Sequence, residues 1–400
     1  MNDSKPVHDW SIDFDHLDPQ WTSNPYAIWD ALRPTCPVAT SQRFEDGAYL
    51  PLSYNDIYAI AYDTEHFSSR RIIVREQKVP IVGVPPITSD PPEHTPARRI
   101  LLPPFAPREV QKLEPLTRDV CVSLLEAVGD RNEFDAAVEY AQSVPVHIMC
   151  QIMGLDVADA ETFRDWIYRT NVEGVRNTQA NIIVRHEMNE YFLEQINQRR
   201  AHPGADLISY LLTVEIEGQP LTERHILGTL VLLIIAGIDT TWSSIGASIW
   251  HLATHPDDLR RLVAEPELLP TAVEEFLRAY APVTMAREVV KETTLSGCPF
   301  KEGGQVLLSY PAANRDPAKF PDAEKVLIDR AHNPHAAFGL GRHRCLGSNL
   351  ARMEMIVALE EWLKRYPSFQ LQEGAVVTWS EGTVRGPRTV PVKVYRQQTC

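Results

Sequence analysis

The feature that most constrains the fold is a long, largely apolar stretch at residues 222–254, which contains no proline. A helix over all of it would be roughly 50 Å long, enough to cross a large domain. Its longest apolar run, residues 226–238, is interrupted by Gly228, Thr229 and Gly237. That run falls short of the ~18 apolar residues of a membrane span. The stretch therefore predicts a central helix in a globular core, ended by His255-Pro256.

Shorter patterns on either side predict the remaining elements. Apolar residues recur at helical spacing at residues 24–33, 55–61, 110–128, 144–153, 158–168, 182–200, 206–213, 268–280 and 345–366. Strand-like pieces lie at residues 38–40, 49–52, 283–290, 305–309 and 390–395, and the Pro- and Val-rich segment 79–92 predicts an irregular loop. Without repeats or Gly/Ser linkers, residues 1–400 predict one mainly α domain with small β-sheets.

Composition excludes several classes of function. With 39 basic and 53 acidic residues the net charge is −14, which argues against a nucleic-acid-binding protein. The six cysteines show no close pairing, and at this size no disulfide framework is needed, so a reducing compartment is favoured. The amino terminus lacks a basic segment followed by an apolar one, and no basic amphipathic helix is evident. These features predict a cytoplasmic protein that does not bind membranes.

The segment Phe338–Gly347 carries the clearest chemical signal. Gly339 and Gly341 suit a tight hairpin that presents Cys345 just before a helix. A thiol there, flanked by Arg342 and Arg344, is biased toward the thiolate, which can ligate haem iron. Two alternatives are a structural cysteine after a glycine turn and a zinc site. The zinc site would use His332, His335, His343 and Cys345, but their spacing is not that of the usual zinc fingers.

Read as Phe-Gly-Leu-Gly-Arg-His-Arg-Cys-Leu-Gly, this segment resembles the haem-binding loop of the cytochrome P450 superfamily. The resemblance implies a triangular α-rich prism with haem b between the central helix and the helix after Cys345. It implies that Cys345 is the axial iron ligand and that Phe338 and Gly347 lie against the haem. The implied activity is that of a monooxygenase, which uses dioxygen.

The segment Ala236–Thr240 resembles the oxygen-activation signature of the same superfamily. Asp239 and Thr240 are poor helix formers after Gly237, so we expect a distorted helix. The resemblance implies that Thr240 holds oxygen and water while Asp239 feeds protons from solvent. The alternative is a threonine hydroxyl that bonds back to its own helix.

Two further groups of residues follow from the resemblance. Glu275 and Arg278, three apart on one helix, would form a structural brace completed by Arg315 in the segment Asn314–Pro317. The haem propionates need cationic partners. By resemblance these are His94, Arg98, Arg287 and His343.

Residues that match the family's substrate walls are mostly aliphatic and carry no charge. They are Ile81, Val82, Val84, Leu232, Ile235, Ala236, Val283, Thr284, Thr383 and Val384. They predict an apolar substrate of small to medium size.

The chain has no flavin, nicotinamide or iron–sulfur motif, so we expect a redox partner that passes on electrons from NAD(P)H. A ferredoxin or a flavin/iron–sulfur reductase would dock at Arg342, Arg344 and Arg352. Residues 236–242, 274–287 and 382–388 resemble a bacterial subgroup whose haem domain is often fused to such a reductase. No reductase domain is expected within residues 1–400, and a stand-alone protein and an excised haem domain both stay open.

The leading hypothesis is a haem-thiolate monooxygenase that hydroxylates, or O- or N-dealkylates, an apolar organic substrate. One alternative is a peroxide-driven peroxygenase, whose relatives commonly lack the acid–alcohol pair seen at Asp239-Thr240. The other is a haem binder or sensor without catalysis.

Overall fold

The computed structural model describes residues 5–76 and 83–395. The α-helices are α1 Pro19–Ser23, α2 Pro25–Leu32, α3 Tyr54–Tyr62, α4 His94–Arg99, α5 Pro107–Gln111, α6 Glu114–Ala127, α7 Ser143–Met153, α8 Ala160–Asn171, α9 Thr178–Ala201, α10 Leu207–Leu211, α11 Glu223–Thr254, α12 Pro256–Ala264, α13 Leu269–Ala279, α14 Tyr310–Ala313 and α15 Ser348–Arg365. The strands are β1 Val38–Ser41, β2 Ala48–Pro51, β3 Phe67–Ser68, β4 Glu133–Asp135, β5 Glu215–Ile216, β6 Gln219–Pro220, β7 Thr284–Val289, β8 Thr293–Leu295, β9 Cys298–Phe300, β10 Gln305–Ser309, β11 Phe369–Leu371 and β12 Pro391–Val394.

The predicted central helix is α11, with 32 residues. The Thr222 hydroxyl accepts a hydrogen bond from the His225 N–H at 3.2 Å and so caps its start. Pro256 begins the next helix directly after His255. The best 18-residue window of α11 has a mean hydropathy of 1.7, apolar enough for a membrane span, but 61% of that window is buried inside the fold. Helices α7, α9 and α15 pack against it, as expected of a core helix.

Capping explains where predicted and observed helix ends differ. Helix α9 starts four residues before its predicted start because the Asn177 side chain accepts a hydrogen bond from the Ala180 N–H at 3.2 Å. Helix α15 starts at Ser348, so Cys345 stays in the preceding loop. The mainly α fold class with small sheets is confirmed.

A five-stranded sheet, in the order β1-β2-β10-β7-β3, lies on one side of the helices. Strands β7 and β10 are antiparallel, with Arg287 opposite Val306. Because side chains alternate along a strand, Arg287 shares a face with Met285 and Val289. A three-stranded sheet, β11-β12-β4, and the hairpins β5-β6 and β8-β9 complete the β-structure of the described residues.

The core is divided by α11. One apolar cluster joins Ile249 and Leu252 of α11 to Trp362 of α15. A second joins Ile238 of α11 to helices α7 to α10, and Leu346 packs against it. Leu346, the residue after Cys345, therefore packs against the same cluster as Ile238 of α11.

Candidate haem-binding and active site

The loop before α15 is held by its glycines. Gly339 and Gly341 have φ angles of 71° and 68°, in the left-handed region that favours glycine. A Cβ atom at Gly341 would lie 2.3 Å from the carbonyl oxygen of Ala61, so no other residue fits there. The Cys345 N–H donates to the Phe338 carbonyl oxygen at 2.6 Å and closes the hairpin. The predicted tight turn is therefore present.

Cys345 is an exposed residue, although many protein atoms surround its sulfur. There is free space beside Gly347, since a Cβ there would meet no non-adjacent atom of the described residues nearer than the Cys345 sulfur at 4.0 Å. Burial raises the pKa of the thiol. The Gly347 N–H opposes this rise, as do the guanidinium groups of Arg98, Arg344 and Arg352. Arg344 thus acts in the predicted direction, but burial outweighs the neighbouring cations and the pKa of the free thiol is raised.

Beside this loop lies a group of basic side chains, called here the cationic cluster: His94, Arg98, Arg287 and His343. His94 is 3% exposed, and both of its ring nitrogens lack a hydrogen-bond partner. Its ring packs edge-on against that of His343 at 4.4 Å. Arg287, also 3% exposed, donates to the Ala286 carbonyl oxygen but meets no carboxylate within residues 5–76 and 83–395. Arg98 donates to the Arg344 carbonyl oxygen at 2.6 Å.

The cluster carries unbalanced positive charge. Burial, followed by the charges of Arg287 and His94, lowers the pKa of His343 to about 3. Burial and the Arg98 guanidinium also lower the pKa of His94. Asp90 lies in range of His94, but its oxygens already accept from the Ser68 hydroxyl and the Ser69 N–H. The lowered pKa values leave both histidines uncharged near pH 7, so the positive charge of the cluster lies on Arg98, which is half-buried, and on Arg287, which is buried. A buried guanidinium is costly unless an anion binds to it.

Haem b fits these residues. Its two propionates are the carboxylates that His94, Arg98, Arg287 and His343 would hold, and the ring N–H of His94, which has no partner in the described residues, would supply a donor. The Cys345 sulfur would bind the iron, with Gly347 leaving space for the macrocycle.

The acid–alcohol pair on α11 differs from its prediction. The helix runs through Thr240 without interruption, so the expected distortion is wrong. The Thr240 hydroxyl donates to the Ala236 carbonyl oxygen at 2.8 Å, the bond of the alternative interpretation. Asp239 is fully buried and accepts from Arg388 at 2.5 and 3.2 Å and from Asn171 at 2.6 Å. The pattern of residues along α11 carries no signal for either of these partners.

Glu275 and Arg278 form the predicted brace, and both are fully buried. The guanidinium donates twice to the carboxylate, each time at 2.8 Å. The same carboxylate accepts from Arg330 at 2.9 Å and from Asn333 at 3.1 Å. It also accepts from the Leu327 N–H at 2.8 Å. We call this group the Glu275 cluster.

The assignment of Arg315 to the brace is wrong. Its neighbour Asn314 does contribute, through a carbonyl oxygen that accepts from Arg278 at 2.9 Å. Arg315 instead contacts Asp30 at 3.4 Å and stacks over the ring of Tyr26 at 4.5 Å. Arg330 occupies the place predicted for Arg315.

A cavity of about 750 Å³ lies between α9, α11 and the loop after β3. Four predicted wall residues line it, namely Val84, Leu232, Ile235 and Thr383. Ile81 and Val82 lie outside the described residues. Ala236, Val283, Thr284 and Val384 are not on the lining. Val283 and Val384 face each other in a backbone bridge, and the Thr284 N–H donates to the Thr383 carbonyl oxygen at 2.9 Å.

The predicted wall residues carry no charge, but charged residues outside that set line the cavity. They are arginines from three separate segments: Arg70, Arg71, Arg75, Arg176 and Arg185. The first three lie within residues 70–75, and no local spacing links them to Arg176 or Arg185.

The other basic residues are arranged as follows. Arg342 and Arg344 are exposed, as a docking face requires. Arg352 is engaged, since it donates to both oxygens of Glu274 at 2.5 and 2.8 Å and stacks on the Phe338 ring. In the described part of the chain, no three His, Cys, Asp or Glu side chains gather as a metal site. His335 bonds to Glu274, and His343 packs on His94, so they do not converge with Cys345 on a zinc ion.

Comparison with known proteins agrees with this geometry. The family model described as Cytochrome P450 matches residues 162–393. The mycinamicin IV hydroxylase/epoxidase of Micromonospora griseorubida is 33% identical over 87% of this chain and 90% of its own length. The 6-deoxyerythronolide B hydroxylase of Saccharopolyspora erythraea is 30% identical over 97% of this chain and 99% of its own.

Solved structures give the same result. A Bacillus megaterium cytochrome P450 in complex with testosterone superposes with a TM-score of 0.87 at 31% identity, covering 93% of this chain and 98% of the other. Cytochrome P450 PksS of Bacillus subtilis superposes with a TM-score of 0.88 at 28% identity, covering 96% and 100%. The family uses haem b and dioxygen, with electrons from NAD(P)H passed on by partner proteins. This chain belongs to the cytochrome P450 family and is a bacterial haem-dependent monooxygenase.

Proposed function

We propose that the enzyme hydroxylates, or O- or N-dealkylates, a small to medium organic substrate with a mostly apolar body. The observation that carries the proposal is the exposed Cys345 on a glycine-shaped loop whose neighbours Arg344 and His343 contact Arg98 and His94 of the cationic cluster. When bound, haem b supplies the iron at which dioxygen is reduced and one oxygen atom passes to the substrate.

Cys345 would hold the iron as a thiolate. A metal ligand must be deprotonated, and binding a cation releases that proton despite the burial that raises the pKa of the free thiol. The Gly347 N–H and the Arg98 guanidinium then stabilise the negative sulfur. The loop would hold the sulfur in position and limit its contact with water.

Thr240 and Asp239 would deliver protons to the site from α11. The Thr240 oxygen still has an acceptor position while it donates to Ala236, and rotation of the hydroxyl frees its proton. Asp239 accepts hydrogen bonds from Arg388 and Asn171. To carry a proton inward, it must first exchange Arg388 for water.

The substrate is expected in the cavity beside α11. Its volume of about 750 Å³ suits an organic molecule, and Leu232 and Ile235 give it apolar walls. One relative is named for mycinamicin IV, and one similar structure holds testosterone. Both names support an organic substrate.

The electron donor we propose is a ferredoxin or a flavin/iron–sulfur reductase with an acidic face. Arg342 and Arg344 are exposed on the segment that ends at Cys345, which places positive charge near the sulfur side of the site. We infer a single haem-binding domain that works in the cytoplasm, where such donors are reduced.

The first test is spectroscopic. We expect the dithionite-reduced carbon monoxide complex to show the strongly red-shifted Soret band of thiolate-ligated haem. Cys345→Ala should abolish that band. Cys298→Ala, which alters a thiol outside the site, should keep it. A wild-type spectrum without the band would refute the proposal.

The second test separates proton delivery from structure. With a ferredoxin system and a ligand that shifts the haem to high spin, Thr240→Ala should keep its haem but divert electrons into peroxide. Thr241→Ala, the same change one residue on, should stay coupled. Tight coupling in Thr240→Ala would remove this role from Thr240. Fast turnover with peroxide and none with ferredoxin would favour a peroxygenase instead.

A further inference from the structure

The arginines that line the cavity fall into two kinds. Three have carboxylate partners: Arg70 with Asp90 at 3.7 Å, Arg71 with Glu288 at 3.2 Å, and Arg176 with Glu381 at 2.8 Å. Arg75 and Arg185 have no ion pair with any acid in residues 5–76 and 83–395. Residues 77–82 contain no Asp or Glu that could serve. Among the described residues, the cavity thus holds two guanidinium groups without a counter-ion.

Both groups are withdrawn from bulk solvent. Arg185 lies on α9, and its Nε is buried without a hydrogen-bond partner. Burial lowers the pKa of Arg185 and of Arg75, and no carboxylate opposes it in either case. Arg75 is anchored only through its backbone, whose N–H donates to the Gln305 side chain at 3.1 Å. Their side-chain donors therefore face the cavity.

The one acid on the lining does not neutralise them. Glu76 is exposed, and its charge acts on Arg176, which already pairs with Glu381. Removing a guanidinium from water without an anion beside it is unfavourable in free energy. A carboxylate that binds to it offsets this desolvation. The planar fork of arginine suits a carboxylate in particular, because two parallel hydrogen bonds can form.

We propose that the substrate is a carboxylic acid whose carboxylate binds Arg75 and Arg185 and whose apolar body extends toward Leu232 and Ile235. This inference rests on the proposed function, because it describes the substrate of the same cavity. Leu232 and Ile235 line the cavity from α11, the helix that carries Thr240 further along, so the body would extend toward that helix. The oxidised carbon then lies away from the acid group.

The test compares acids with their methyl esters. The probes are dodecanoic acid, 4-hexylbenzoic acid and cholanic acid, three skeletons of different shape, each paired with its methyl ester. Dissociation constants come from calorimetry and from the haem spin shift of the resting holoenzyme. At least one acid should bind about tenfold or more tightly than its ester, as expected for charge-assisted hydrogen bonds. If no acid binds more tightly than its ester, the proposal is overturned.

Variants locate the effect. Arg185→Gln and Arg75→Gln should each weaken the selected acid about tenfold and leave its ester unchanged. Arg70→Gln is the matched control, since Arg70 lines the same cavity but already pairs with Asp90, and it should change acid binding less than about threefold. Equal losses for acid and ester, or an equal loss in the control, would overturn the assignment of Arg75 and Arg185.

The result is separable from the proposed function. Calorimetry reports acid selectivity without turnover, whereas the carbon monoxide spectrum reports thiolate ligation. Selective binding in a protein without the thiolate band would support the acid site and refute the proposed chemistry. The thiolate band without acid selectivity would do the reverse.

Discussion

The Glu275 cluster and the cationic cluster are both buried groups of charge, yet they are balanced in opposite ways. Glu275 accepts hydrogen bonds from Arg278, Arg330 and other donors of the same chain. His94 has two ring nitrogens without partners, and Arg287 has no carboxylate in the described residues. A buried charge that its own chain satisfies supports the fold. A buried charge that its own chain leaves unsatisfied indicates a ligand that supplies the balance.

Removing the centre of the satisfied cluster should have the largest effect. Glu275→Ala leaves Arg278 and Arg330 buried without an anion, so we expect a loss of about 3 to 5 kcal/mol in the free energy of unfolding. Urea titration of the purified protein measures it. Glu65→Ala, which breaks the exposed pair with Lys291, is the control and should leave the free energy of unfolding nearly unchanged. Equal losses in both variants would mean that the Glu275 cluster is not a brace.

Glu354 on α15 gives a second way to test the comparison, because it is a buried carboxyl group outside both clusters with an unpartnered oxygen. It is 1% exposed, its Oε2 has no partner, and burial raises its pKa to about 8. The folded protein therefore keeps a proton that the unfolded chain releases above pH ~4.5. Stability is lost as the pH rises from ~4.5 toward 8, because the folded state binds more protons in that window.

The expected result is a pH-dependent gain in Glu354→Gln. The variant should match the wild type near pH 5 and exceed its free energy of unfolding by about 1 to 3 kcal/mol at pH 8. Denaturant titrations at the two pH values measure the difference. If the free energies of unfolding of the variant and the wild type change in parallel with pH, the pKa of Glu354 is not raised. A buried oxygen without a hydrogen-bond partner would then not indicate a shifted pKa.

These clusters also show what the sequence can predict. The Cys345 loop, α11 and the Glu275–Arg278 pair depend on spacing within a few residues, and all three are present in the structure. Arg330 lies 55 residues from Glu275 in the sequence and donates a hydrogen bond to it. The spacing of residues around Glu275 does not predict this long-range partner. Arg388 at Asp239 is a similar case, and so are the cavity arginines. Local sequence spacing identifies residues that interact within one helix or loop. Tertiary packing determines which charged residue from a distant part of the chain contacts them.

The smallest expected effect tests the unsatisfied cluster itself. Arg287→Met replaces a buried cation without a carboxylate partner by an apolar side chain of similar length. In haem-free protein this should raise the free energy of unfolding by about 1 kcal/mol, because a desolvation cost disappears. In haem-loaded protein the same change removes a propionate partner, so haem should be lost about tenfold faster to a scavenging haem protein.

Arg315→Met is the matched control for Arg287→Met, because the Arg315 side chain is 13% exposed but pairs with Asp30 and stacks on Tyr26. Its loss should lower the stability of haem-free and haem-loaded protein alike and leave haem release unchanged. Arg287→Met is expected to stabilise the haem-free protein but to speed haem loss from the haem-loaded protein. These opposite effects distinguish a ligand-binding cation from a structural one. If Arg287→Met instead destabilised the haem-free protein as Arg315→Met does, Arg287 would belong with the Glu275 cluster as a structural residue.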